Sequence, residues 1–365
     1  MRIDSPKSTQ TAPYTLDDLL VELGQRNASD LHLKAGEPPV MRIHGRLYRT
    51  ERPPLSDQGI KQLIYSILTP NQRARFEEQL ELDLAYVVEG YARFRVNVFK
   101  QMEKIGAVMR LIPLHASTID DLGLPQVLKQ VAMRPRGLVL VTGPTGSGKT
   151  TTLAAMTDYI NALVPRHIIT IEDPIEFVHL DKMASISQRE VGTDTHSFAE
   201  ALRHVMRQNP DIILVGEMRD LETMALAVTA AETGHLVFST VHTTDVAQTI
   251  DRVIDVFPPQ QQQQIRMQLA LTLEAVICQT LLPRADGQGR VAAFEIMTVN
   301  SAVRALIREG KTHQVYSIVQ SSGEEGMVTL DQYLVGLYQR GLVAYEEALM
   351  KAGSPRDFEQ LARTA

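Results

Sequence analysis

Cys278 is the only cysteine in a chain of 365 residues. One thiol can make neither an internal disulfide nor a four-cysteine zinc site. It lies in the apolar run 273–282, which marks it as a core residue. No stretch approaches the ~20 consecutive apolar residues that span a bilayer. The opening MRIDSPKSTQTAPY has no apolar core of the kind signal peptides carry. The expectation is a protein made and kept in the cytoplasm, without direct membrane insertion, whose membrane contacts run through a partner. A basic excess is also missing, since 37 basic residues face 43 acidic ones for a net charge of −6. Proteins that grip nucleic-acid phosphates usually carry surplus Lys and Arg, so no nucleic-acid partner is expected.

What is present is ordinary globular composition, with 44% hydrophobic and 22% charged residues. The length suggests roughly two domains of about 150 residues each. Residues 1–14 are polar and read as a disordered tail. Residues 15–112 read as a small α+β domain. Its signals are a helical apolar spacing over 16–23, strand-like runs at 30–34, 40–49, 82–88, 91–101 and 105–111, and helices over 57–68 and from 70. Residues 113–124 carry turn formers and read as a linker. From 125 to 365 the pattern changes to buried apolar strands at 138–142, 167–171, 211–215 and 235–241. Helical stretches at 150–163, 197–208 and 221–233 separate them, which predicts an α/β domain with a largely parallel core. Beyond Pro258 the chain is expected to be mostly helical, and the five glutamines at 260–264 read as a polar helix start.

Residues 143–150, GPTGSGKT, match the phosphate-binding pattern G-x4-G-K-[S/T] in full, between a buried strand and a helix. Gly143, Pro144, Thr145, Gly146, Ser147 and Gly148 form the loop, whose glycines let successive N–H groups turn inward onto phosphate oxygens. The helix N-terminus that follows adds partial positive charge. Lys149 is placed to reach the β- and γ-phosphates, Thr150 to ligate Mg²⁺, and Thr151 completes the nucleotide-binding set. ATP and Mg²⁺ are therefore the expected cofactors.

Hydrolysis also needs acids near the metal and the attacking water. Parallel strands bring their C-terminal ends to one edge, so acids just past those ends are the candidates. Glu172 and Glu176 follow the strand at 167–171, and Glu217 follows the strand at 211–215. His242 ends a third strand, where a histidine can donate to a γ-phosphate; ordinary loop packing is the plain alternative for it.

Taken together these segments resemble the secretion ATPase superfamily, the PilT/GspE family. Its four landmarks occur in order: the phosphate loop at 143–150, an Asp box at 169–176, a Walker B region at 211–220 and a His box at 233–244. The similarity runs from about Leu16 to Leu349. Within the family the chain looks like the type IV pilus retraction branch. The extension and secretion branches typically carry a long extra N-terminal region and a four-cysteine zinc motif. The segment AVRALIRE at 302–309 is close to the retraction signature AIRNLIRE, departing at Val303 and at Ala305.

The resemblance implies a RecA-like P-loop ATPase domain joined to an N-terminal α+β PAS-like domain, six such chains in a ring, and a motor for pilus retraction. It implies a PilC-like inner-membrane platform protein as partner, pilin as the indirect one, and a position at the inner-membrane pilus machine. It further implies that arginines of a neighbouring N-terminal domain complete the nucleotide site; Arg95 and Arg110 match those positions, and Arg93 less well. Glu176 is the favoured base or water-orienting residue, with Glu172 as the alternative. Glu217 joins Thr150 at the metal, His242 senses the γ-phosphate, and Arg207 is a second cationic contact. Rival readings are an extension or secretion ATPase, an accessory retraction paralogue, a nucleic-acid translocase and a non-hydrolysing switch.

Overall fold

The computed structural model describes residues 14–43, 45–112 and 116–364. Of the expected disordered tail, residues 1–13 lie outside the described residues, as do 113–115 of the expected linker. The chain divides into two compact units. The first holds the N-terminal elements through Ile112 together with Glu176–Val178, and the second holds the rest.

The first unit runs α1 (Leu16–Gln25), β1 (Ala28–Lys34), β2 (Val40–Ile43), β3 (Arg46–Arg49), α2 (Asp57–Ile67), α3 (Pro70–Gln79), β4 (Glu81–Val88), β5 (Ala92–Gln101) and β6 (Lys104–Ile112). Each helix has a side-chain stop at its start. The Thr15 hydroxyl accepts from the Asp18 N–H while the Asp18 carboxylate accepts from the Thr15 N–H, a reciprocal cap that opens α1. Leu16, Leu19, Leu20 and Leu23 follow at helical spacing and are all buried. The strands form an antiparallel sheet in the order β3-β2-β1-β6-β5-β4. Alternation along β5 sends Phe94, Val96 and Val98 into the core with the helices, at about 1.5–3 kcal/mol per large apolar side chain. Arg93, Arg95 and Asn97 face the other way.

On that outer face, register places Arg95 opposite Arg110, Arg110 opposite Asp30, and Asp30 opposite Arg42. Asp30 is almost buried and accepts from Arg110 Nε at 2.7 Å and from the Ser29 hydroxyl at 2.7 Å, with Arg42 Nε at 3.6 Å. Its carboxyl is held below the usual range: burial pushes it up, but these hydrogen bonds and the Arg110 charge outweigh that.

The second unit contains α4 (Val127–Ala132), β7 (Gly137–Thr142), α5 (Lys149–Leu163), β8 (His167–Glu172), β9 (Ser185–Glu190), α6 (Phe198–Val205), β10 (Ile212–Val215), α7 (Leu221–Glu232) and β11 (Leu236–Val241). It continues with α8 (Val246–Asp255), α9 (Pro259–Thr272), β12 (Leu273–Pro283), β13 (Arg290–Thr298), α10 (Ser301–Glu309), α11 (Val315–Ser321), α12 (Leu330–Gln339), α13 (Tyr345–Lys351) and α14 (Pro355–Thr364). Its sheet order is β13-β12-β7-β11-β10-β8-β9, parallel throughout except for β13 against β12. Both faces are covered. Leu138 and Leu140 pack toward α6–α10, while Val139 and Val141 pack toward α4 and α5. This double burial explains why the strands are continuously apolar in sequence.

The stretch beyond Pro258 is mostly helical as expected, in α9–α14, but it also contributes two strands to the sheet. After α9 the run LEAVICQTLLP becomes β12, wedged between β7 and β13. A continuous apolar run has no period to separate a buried strand from a buried helix, and here two neighbouring strands decide it. Strand β9, SISQRE, was not expected either, because its largely polar sequence lacks a core-facing pattern.

Candidate nucleotide-hydrolysing site

The chain passes from β7 to β8 over two intervening strands, β11 and β10. Crossings of this kind leave a crevice at the carboxyl ends of the strands, and the glycine-rich loop opens there. Gly143 has φ +139°, and a Cβ on it would come within 2.2 Å of the Gln279 carbonyl oxygen. Gly148, at φ +91°, begins α5 in the left-handed region, and a Cβ there would lie 2.8 Å from Gln279 Nε2. Only glycine meets both demands without strain.

Gln279, on β12, clamps the loop. Its Nε2 donates to the Ser147 carbonyl at 2.7 Å, and its Oε1 accepts from the Thr152 hydroxyl at 2.7 Å. Lys149 is largely buried, and its ammonium donates to the carbonyls of Gly143 and Pro144 at 2.9 and 3.0 Å. Pro144, Thr145 and Gly146 are exposed, while Thr150 and Thr151 are half-buried in the first turn of α5.

The Walker B segment contains β10, two strands from β7 with β11 between them. Ser239 and Thr240 of β11 donate to the carbonyls of Val215 and Gly216, and the Met218 N–H donates to the Thr240 carbonyl at 3.0 Å. These bonds fix the turn that carries Glu217. Its carboxylate pairs with Arg219 Nε at 2.7 Å and lies 3.5 Å from His242 Nε2. The structure thus brings Glu217 and His242 together at the ends of adjacent strands.

Glu172 ends β8 in a buried position, accepting from the Thr170 hydroxyl at 2.6 Å and from Gln188 Nε2 at 3.0 Å. Glu190 of β9 holds the next turn by accepting from the Ile175 N–H at 3.2 Å. Glu176 is exposed beyond that turn, and Arg207 is exposed after α6. Neither is brought against Glu217 by any hydrogen bond or ion pair among the described residues. Arg93, Arg95 and Arg110 belong to the first unit's outer sheet face. Sequence reasoning missed Gln279, Gln188 and Glu190. The signal for Gln279 was a lone amide inside an apolar run; polar β9 gave none.

Cofactor fit follows from the donor chemistry. The open loop, the amide-rich start of α5 and the largely buried Lys149 suit a polyphosphate. The Ser147 hydroxyl oxygen is buried without a partner beside them. No group of three or more His, Cys, Asp or Glu poised for a metal occurs among the described residues. Mg²⁺ commonly takes one or two protein oxygens and fills its shell with phosphate and water, so a site with few protein donors suits it.

A parallel sheet with this loop, a buried lysine and strand-end acids defines a P-loop ATPase. Residues 7–349 match the family described as Type II/IV secretion system protein, and the chain belongs to that family. It is 54% identical to the Type IV pilus retractation ATPase PilT of Pseudomonas aeruginosa, over 94% of this chain and 99% of that one. It is 49% identical to a Twitching motility protein of Neisseria gonorrhoeae, over 86% and 84% of the two chains. The crystal structure of the pilus retraction motor PilT with bound ADP superposes with a TM-score of 0.89 at 44% identity, covering 95% of this chain and 99% of that one.

Proposed function

We propose that this chain is the ATPase motor of type IV pilus retraction, driving pilus disassembly and twitching motility. The observation that carries the reading is the 54% identity, across nearly the full length of both chains, with a protein of that name. The intact phosphate loop and strand-end acids support the same conclusion.

The reaction is in-line attack of water on the γ-phosphoryl group, with ADP leaving. Thr150 and Glu217 would hold Mg²⁺, which would supply positive charge against the phosphates. The loop amides and Lys149 hold the phosphates, and Gln279 keeps that loop shaped. Glu176 orients or deprotonates the water, with Glu172 as the second candidate. His242, whose Nε2 lies 3.5 Å from the Glu217 carboxylate, senses the γ-phosphate, and Arg207 adds a cationic contact. Arg95 and Arg110 of a neighbouring copy in a homohexamer complete the charge compensation, since a guanidinium keeps its charge throughout the cycle. The ring works at the cytoplasmic side of the inner membrane against a PilC-like platform protein and so, indirectly, on pilin. No helix among the described residues is long and apolar enough to cross a membrane.

The test is a strain lacking the gene, scored for twitching and surface pili and complemented with wild type, Lys149→Ala or Glu217→Ala. The expected outcome is static, piliated cells rescued by wild type alone. Loss of pili altogether would sink the retraction reading in favour of extension or secretion.

A further inference from the structure

Glu295 has no part in the chemistry above, yet it is only 6% exposed on β13, opposite Cys278 of β12. Its Oε2 accepts from the N–H of Val246 at 3.2 Å. Val246 is the first residue of α8, directly after the segment that carries His242. Outside it, His242 Nε2 lies 3.5 Å from the Glu217 carboxylate and the Thr249 hydroxyl 4.0 Å from Cys278 Sγ; the remaining bonds join turn and helix. The hydroxyls of Thr243 and Thr249 meet at 2.7 Å, Thr244 Oγ1 donates to Gln248 at 3.3 Å, and the Asp245 carboxylate accepts from the Gln248 N–H at 2.8 Å. Thr249 and Gln248 belong to α8, so turn and helix form one body. Glu295 ties the first residue of that helix to β13, at 3.2 Å against the 4.0 Å of the Thr249–Cys278 contact to β12.

A cavity of about 190 Å³ adjoins this tether, lined among others by Pro144, Thr244, Gln279, Glu295 and Lys351. Pro144 opens the phosphate loop and Thr244 ends the His-box turn, so the two meet across one space with Glu295 in its wall. At roughly 30 Å³ per water the cavity has room for several, which lets the turn shift without opening a dry void.

We propose that Glu295 is a positioning residue for hydrolysis: its bond to the Val246 N–H sets where the His242-bearing turn stands beside the phosphate loop. The inference rests on the ATPase reading above. A carboxylate acceptor at a helix start is favoured twice, as a charge-assisted hydrogen bond and by the helix dipole. The titratable or charged groups around it are Asp245 on the α8 turn, Cys278 on β12, Tyr316 on α11, Asp331 on α12 and Lys351 on α13. Burial, with Asp245 and Asp331 adding to it, pushes the Glu295 carboxyl up to about 7, against the pull of the Val246 N–H. The tether therefore gains charge, and strength, as pH rises through neutrality.

The experiment compares Mg-ATP turnover of the full chain as wild type, Glu295→Gln and Glu295→Ala, from about pH 6 to 8.5, with melting curves as the folding control. Glu295→Ala is expected to lower kcat about tenfold with KM unchanged. Glu295→Gln keeps an acceptor for Val246, so it restores most of kcat but flattens its pH dependence around neutrality. Wild-type kcat in Glu295→Ala would overturn the proposal. If Glu295→Ala does not fold, the glutamine variant decides, and a pH profile superimposable on wild type overturns it. A wild-type chain without Mg-dependent turnover would instead overturn the functional reading, and this inference with it.

Discussion

At the scale of single residues, Lys149, Thr150 and Glu217 stand in sequence patterns whose spacing has a chemical reason. Gln279 has no such pattern. It acts through the carbonyl of Ser147, 132 residues away in the chain, and only pairing of β12 with β7 brings the two together. Replacing it by alanine leaves the Thr152 hydroxyl and the Ser147 carbonyl buried without that partner. The expected result is a loss of about 1–3 kcal/mol in stability and a weaker nucleotide KM with a smaller change in kcat. Denaturant melts and steady-state ATPase assays check both, and an unchanged KM would separate Gln279 from the loop.

At the scale of elements, the strands buried on both faces were legible because continuous Val, Ile and Leu leave few alternatives. Strand β9 was not, since at the sheet edge it buries little and its register comes from β8. Yet β9 supplies Gln188 and Glu190, which hold Glu172 and the turn before Glu176. Glu190 also accepts from the Thr193 hydroxyl, so it braces the strand's own exit. Glu190→Leu is expected to loosen the Asp-box turn and cut kcat about tenfold, with the phosphate-loop side and hence nucleotide affinity little changed. Turnover assays beside equilibrium ADP binding test this; equal losses in both would mean general unfolding. The antiparallel partner β13 was likewise hidden, since a short apolar run fits helix or strand equally well.

At the scale of the whole molecule, the cores are separate: one cluster gathers α1–α3 with β1–β6, and others fill the two faces of the larger sheet. Calorimetry of the chain without nucleotide is expected to give two transitions. ADP at about a hundredfold over its Kd should raise the one belonging to the phosphate-loop unit by about 2.7 kcal/mol. A single transition shifting as one would mean the units fold as one cooperative body. The small sheet has one further consequence. Its outer strand β3 is four residues long, fully exposed, and carries Arg46 and Arg49 at its two ends. An open strand edge is a template onto which another chain can zip, and short length and repelling charge are what stop it. Crowded copies of this protein are thereby turned away from fibre growth at β3, leaving association to surfaces whose geometry can close on itself.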